Sequence, residues 1–212
     1  MLENWKEKLS ILTCKYFFDG YEGKRIFESD GFSEEVYLFD ADYTVGLTTE
    51  WKHIFMNQRL FEENLEKAQR QTFLHEKGHA NSSILHLITG SIPLLFFYAV
   101  APLAGFLSIS VLITDLVFNA GIVGLTSSDA WRYLYILALS FPVAVTISYI
   151  IETKADLFSL KYMEPEEFRE AKESFKEVQP ITKFRMFLIR LTHPSPSFVL
   201  NIYRLLNREE YP

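Results

Sequence analysis

The chain has 212 residues, 49% hydrophobic and 16% aromatic, enough for one good-sized domain rather than two. Its formal net charge of −6, with no basic tract to neutralise phosphates, argues against a nucleic-acid partner. The single cysteine, Cys14, excludes an internal disulfide and a thiolate-built structural zinc site, and reads as a packing residue.

The first twenty residues carry Glu3, Lys6, Glu7, Lys8 and Lys15 without a sustained apolar core, so no signal peptide is visible. The pattern predicts a helix over about 2–16, followed by loop through Gly20, Gly23 and Gly31. Val36-Tyr37-Leu38-Phe39 is a short strand candidate, followed by a polar turn through Asp40, Asp42 and Gly46. Residues 51–58 alternate in part and form a second strand candidate.

From Phe61 to about Ser82 the sequence is polar, free of proline and helically spaced. Near the end of this helix stands His75-Glu76-Lys77-Gly78-His79, an H-E-x-x-H pattern. Residues four apart share a helix face, so both imidazoles can reach one ion. Glu76, one residue past the first ligand, is placed to take a proton from water beside that ion. The plainer reading is two ordinary histidines on an amphipathic helix.

An apolar region follows. Between Ile84 and Leu125 the only formal charge is Asp115, and a second run from Trp131 to Ile151 is interrupted only by Arg132. Each is long enough for the roughly 20 residues of a membrane-crossing helix. Spans over 84–106 and 131–151 are expected, with 107–130 a re-entrant or outer-surface connection. Two crossings return the chain to the side it left, so that residues on either flank can share one ion. No Lys or Arg lies between Lys77 and Arg132, whereas Lys67, Arg70 and Lys77 precede the runs and Lys154 and Lys161 follow them. That bias predicts a multi-pass cell-membrane protein with its site facing the cytoplasm. The expected organisation is a single domain: a cytoplasmic part over 1–83, a transmembrane hairpin over 84–151 and a second cytoplasmic part over 152–212.

Beyond Glu152 the helix is expected to run to about Tyr162. Pro165 then opens an amphipathic helix over 165–178, with Glu166 and Glu167 suited to its N-terminus. After Pro180, the basic and apolar stretch 183–191 lies along a membrane surface or packs against the catalytic helices.

Zinc catalysis needs three protein ligands and one open position. His75 and His79 supply two, and Glu152, opening E-T-K-A-D, is the candidate third; its other reading is an interfacial anchor carboxylate. Asp156, one turn on, can fix a ligand histidine through its free N–H, or can be a solvated partner of Lys154 or another base. Two rival ligand sets fail on spacing. A third histidine ten residues after the first would fall on Leu85, with His86 one off, and the only D-G pairs, Asp19-Gly20 and Asp30-Gly31, lie upstream of the motif.

H-E-K-G-H, two apolar runs, E-T-K-A-D and Thr192-His193-Pro194 together resemble the HtpX-type and CAAX prenyl endopeptidase family of membrane zinc metallopeptidases. The likeness covers about 36–199, including the stretch Val36–Gly46 before the family's edge strand. It implies that Glu76 is the base and later proton shuttle, that Asp156 supports a ligand, and that His193 stabilises the oxyanion. It also makes 52–58, with Ile54, Met56 and Asn57, an edge strand on which a peptide substrate adds. The family's arginine after H-P falls at Val199, with Arg204 the nearest, and Asp40 stands where asparagine is usual. Spans commonly found before the catalytic helix do not precede it here, which suggests a shortened variant or self-association.

The expected fold is therefore mainly α with a small β-sheet, a zincin-like catalytic domain carrying a transmembrane helical hairpin. The expected function is that of an integral-membrane metalloendopeptidase using Zn2+, with a protein or peptide substrate and the lipid bilayer as partners. The alternatives are an inactive membrane protein whose zinc site serves structure or peptide binding, and a zinc hydrolase acting on lipid or another non-peptide bond.

Overall fold

A computed structural model describes residues 2–17, 20–41, 45–49, 52–82, 101–118, 127–178, 190–191 and 193–207. The chain divides into two compact units, Met1–Leu87 with Ile150–Pro212, and Ile88–Tyr149.

In the first unit, α1 (Leu2–Phe17) leads into β1 (Gly20–Ser29) and β2 (Phe32–Asp40). Residues 20–35 read as loop in the sequence because charges and glycines dilute their alternation. Asp30 and Gly31 nevertheless both take positive φ, 55° and 79°, the geometry of a two-residue hairpin turn. The strands pair antiparallel from Gly20↔Asp40 to Ser29↔Phe32. Lys24 donates across the pair to Glu35 Oε2 at 3.0 Å.

Two shorter strands, β3 (Gly46–Thr48) and β4 (Ile54–Asn57), complete one sheet in the order β1-β2-β4-β3. β4 runs parallel to β2 and antiparallel to β3. Strand alternation gives the sheet two apolar faces. Val36, Ile54 and Met56 join a cluster with Ala68, Phe73 and Leu74 of α3 (Glu66–Ala80). Tyr37, Phe39 and Phe55 form the other cluster, against which Ile11 of α1 packs. The short helix α2 (Arg59–Glu62) leads into α3.

Arg70 locks α3 in place. Its Nε donates to Asp30 Oδ2 at 2.9 Å, one terminal nitrogen reaches both Glu167 oxygens at 2.6 and 2.7 Å, and the other donates to the Tyr162 carbonyl at 2.6 Å. One guanidinium fork thus joins the β1–β2 turn, α3 and the start of α6 (Pro165–Val178). That hydrogen bonding holds the Asp30 carboxyl below its ordinary pKa, overcoming the opposing effect of burial.

The architecture is mixed α/β, which corrects the expected mainly α, zincin-like fold with a membrane hairpin. Among the described residues no helix is long and apolar enough to cross a membrane, so the multi-pass placement facing the cytoplasm is corrected too. Proline and polar residues interrupt the apolar runs that the two helices share. In the second unit α4 spans Ala101–Phe118, covering much of the stretch expected to be a connection. Pro102 and Asp115 lie within its sequence. α5, Ser127–Ser159, carries Pro142 inside the stretch between Arg132 and Glu152. Residues 84–100 of the expected first span, the turn residue Asp42, and 183–189 lie outside the described residues.

Candidate metal centre

Four pieces of the first unit build the site: α3, the end of α5, α6 and the start of α7 (Pro196–Leu206). Gly78 lets α3 and α5 approach. A Cβ there would stand 3.0 Å from Phe158 Cβ, 3.1 Å from Ala155 Cα and 3.2 Å from the Ala155 carbonyl oxygen. Two of those contacts are backbone and cannot swing aside. The small residues of H-E-K-G-H and E-T-K-A-D therefore face each other, and the close helix contact brings Glu152 to the histidines. Gly78→Val should destabilise the fold by about 1–3 kcal/mol through overpacking and weaken metal binding. Paired thermal melts and metal titrations check this; unchanged metal affinity would refute it.

The ligand atoms converge. His75 Nε2 lies 3.1 Å from His79 Nε2 and 3.1 Å from Glu152 Oε2, and His79 Nε2 lies 3.6 Å from Glu152 Oε1. A tetrahedral ion with bonds near 2.1 Å separates its ligand atoms by about 3.4 Å. His75, His79 and Glu152 thus form a group that can hold a metal ion, their ligand atoms all within 4.8 Å of one another. Among the described residues Glu152 Oε2 is buried with no hydrogen-bond partner, although two ring nitrogens stand close to it. A buried carboxylate oxygen facing imidazole nitrogens without a hydrogen bond fits a cation between them.

Asp156 is 2% exposed. Its Oδ1 lies 2.7 Å from His75 Nδ1, 2.8 Å from Lys172 Nζ and 3.3 Å from Gln71 Nε2. With the proton on Nδ1 and donated to Asp156, the Nε2 lone pair is left for the metal. Asp156 is buried rather than solvated, and the base that pairs with it besides His75 is Lys172, not the exposed Lys154. Burial raises the Asp156 pKa, but the Lys172 and His75 charges carry it below the ordinary value. Burial likewise opposes ionised Glu152, and the His193 and His79 charges bring its pKa well below ordinary. For His75, burial opposes the imidazolium, yet the Asp156 and Glu152 carboxylates outweigh it and raise the pKa to about 10.

His193 stands at the rim, 48% exposed, with Nε2 3.3 Å from Glu152 Oε2. α7 anchors it: Pro196 opens the helix, and the Ser195 hydroxyl caps it by accepting from the Phe198 N–H at 3.3 Å. Val199, where the family arginine falls, is buried with Leu160, Phe168 and Leu200.

The expected substrate-strand residues lie elsewhere. β4 is flanked by β2 and β3, so it is interior and the sheet ends at β3. Ile54 and Met56 belong to the core. Asn57 is buried, its amide donating to the Ala41 carbonyl at 2.7 Å and accepting from the Arg59 N–H at 3.0 Å. Lys172, Gln71 and Thr48 escaped the sequence reading, and Gly46, which opens β3, figured in it only as a turn residue. Lys172 alone carried a signal, since it shares the helical stripe of Phe168, Ala171 and Phe175.

Comparison with protein-family models, curated proteins and solved structures returns no match for the chain.

Proposed function

We propose that the protein is a zinc metalloendopeptidase, built on the same chemistry as the HtpX-type and CAAX prenyl endopeptidase family that its motifs resemble. The observation that carries this reading is the convergence of His75, His79 and Glu152 on one point, with Glu76 the next residue along. Two imidazoles and one carboxylate are the donor set of hydrolytic zinc, and three protein ligands leave a position open.

Zinc bound there supplies Lewis-acid polarisation of a scissile carbonyl and lowers the pKa of water. Glu76 takes the proton as water attacks and returns it to the leaving amine. His193 donates from Nε2 to the oxygen that gains charge at the tetrahedral stage. Asp156 holds the His75 ring, and Lys172 holds Asp156. A peptide adds at the β3 end of the sheet, in place of the interior strand β4.

The test is hydrolysis of unfolded casein by the purified zinc-loaded chain. Cleavage should stop with a chelator and return with stoichiometric zinc. A chain that carries one zinc and cleaves no protein or peptide would overturn the reading.

A further inference from the structure

We infer that β3 is a seat for the Glu76 carboxylate, with Thr48 a positioning residue that acts through Glu76 and Gly46 the clearance that admits it. The inference deepens the peptidase reading and rests on it. A glutamate on a helix surface has three rotatable bonds, yet a base must be held within about 0.5 Å of its working position. Nothing in H-E-x-x-H itself supplies that restraint.

The sheet supplies it. The Thr48 hydroxyl oxygen lies 2.9 Å from Glu76 Oε2 and 2.8 Å from the Glu76 main-chain carbonyl oxygen. One hydroxyl therefore touches both ends of the residue it positions. Gly46, two residues back on the same strand face, meets the other carboxylate oxygen. A Cβ at Gly46 would stand 2.7 Å from Glu76 Oε1, 2.9 Å from Glu76 Cγ and 2.7 Å from Thr72 Cγ2. Any side chain at 46 would occupy the space the carboxylate now uses. Glu76 is buried, so it has little other room. β3 thus meets both carboxylate oxygens, one by a donor and one by the absence of a side chain.

A purely architectural role is the competing account: the hydroxyl bonds the main-chain carbonyl and docks β3 on α3, whatever the carboxylate does. Thr48→Val keeps the shape and removes the donor, and Thr48→Ser keeps the donor. With zinc content and KM unchanged, Thr48→Val should lower kcat about 10- to 100-fold, as small misplacements of reacting groups do. Thr48→Ser should recover most of it. Gly46→Ala should lower kcat at least as far, and should lower the melting temperature too, because Thr72 Cγ2 and Glu76 Cγ also crowd that position.

A second measurement does not need activity. In the zinc-loaded chain, the melting shift of Thr48→Val with Glu76→Ala should be smaller than the sum of the two single shifts. Additive shifts overturn the seat, and so does an active Thr48→Val with unchanged kcat. An inert zinc-loaded wild type sinks the peptidase reading instead, and the melting cycle still decides the seat.

Discussion

Glu76→Gln should leave zinc content and fold intact while lowering kcat for peptide hydrolysis by about 100- to 10,000-fold, the usual worth of a general acid–base group. In barrier terms that is about 3–5 kcal/mol. The two side chains have nearly the same shape, and an amide oxygen can still accept from the Thr48 hydroxyl now 2.9 Å from Oε2. What the amide cannot do is take a proton from water and pass it on. Melting temperature and zinc stoichiometry therefore serve as controls, and kcat is the readout. A Glu76→Gln chain as active as wild type would remove Glu76 from proton transfer. The metal site would stand, because neither histidine nor Glu152 depends on that carboxylate as a partner.

The site's centre was legible because local periodicity fixes it. H-E-x-x-H places two rings on one turn-and-a-bit of helix wherever that helix sits, and Glu152 and Asp156 share a face four residues apart. The helix expected over 61–82 is α3 over Glu66–Ala80 with α2 split off before it, the one expected to reach Tyr162 stops at Ser159, and α6 spans Pro165–Val178. What local pattern cannot carry is the partner across space. Thr48 and Glu76 are 28 residues apart and meet only because β3 docks on α3. The position of β4 inside the sheet depends on strand order, which a four-residue strand does not encode.

Two other features were misread through the composition of a stretch. Charges made 20–35 look like loop, although Asp30-Gly31 is a strong hairpin signal in its own right. Hydrophobicity made 84–151 look like a pair of crossings, whereas among the described residues no helix is long and apolar enough to cross a membrane. A polar residue in an apolar stripe was the more useful clue. Lys172 among Phe168, Ala171 and Phe175 implies a buried anion to receive it, and that anion is Asp156.

Zinc should raise the melting temperature of the wild-type chain, and Glu152→Ala should abolish most of that rise. A ligand at 100 times its Kd stabilises by about 2.7 kcal/mol, so losing one of three protein ligands removes a readily measured effect. The pH dependence should reach further into the alkaline range than that of ordinary histidine ligands. In the metal-free chain His75 has a pKa of about 10, set against burial by the Asp156 and Glu152 carboxylates. At neutral pH it therefore holds a proton that zinc must displace. Zinc affinity should then rise as pH increases from 6 to 9, approaching tenfold per unit, with proton release visible by calorimetry in buffers of different ionisation enthalpy. The metal-free fold moves the other way. A pKa raised above the ordinary 6.5 of histidine contributes stability that is full below 6.5 and lost as pH rises through about 10. The gap between zinc-loaded and metal-free melting temperatures should accordingly widen with pH. A gap that stays constant from pH 6 to 9 would mean that His75 carries no displaceable proton.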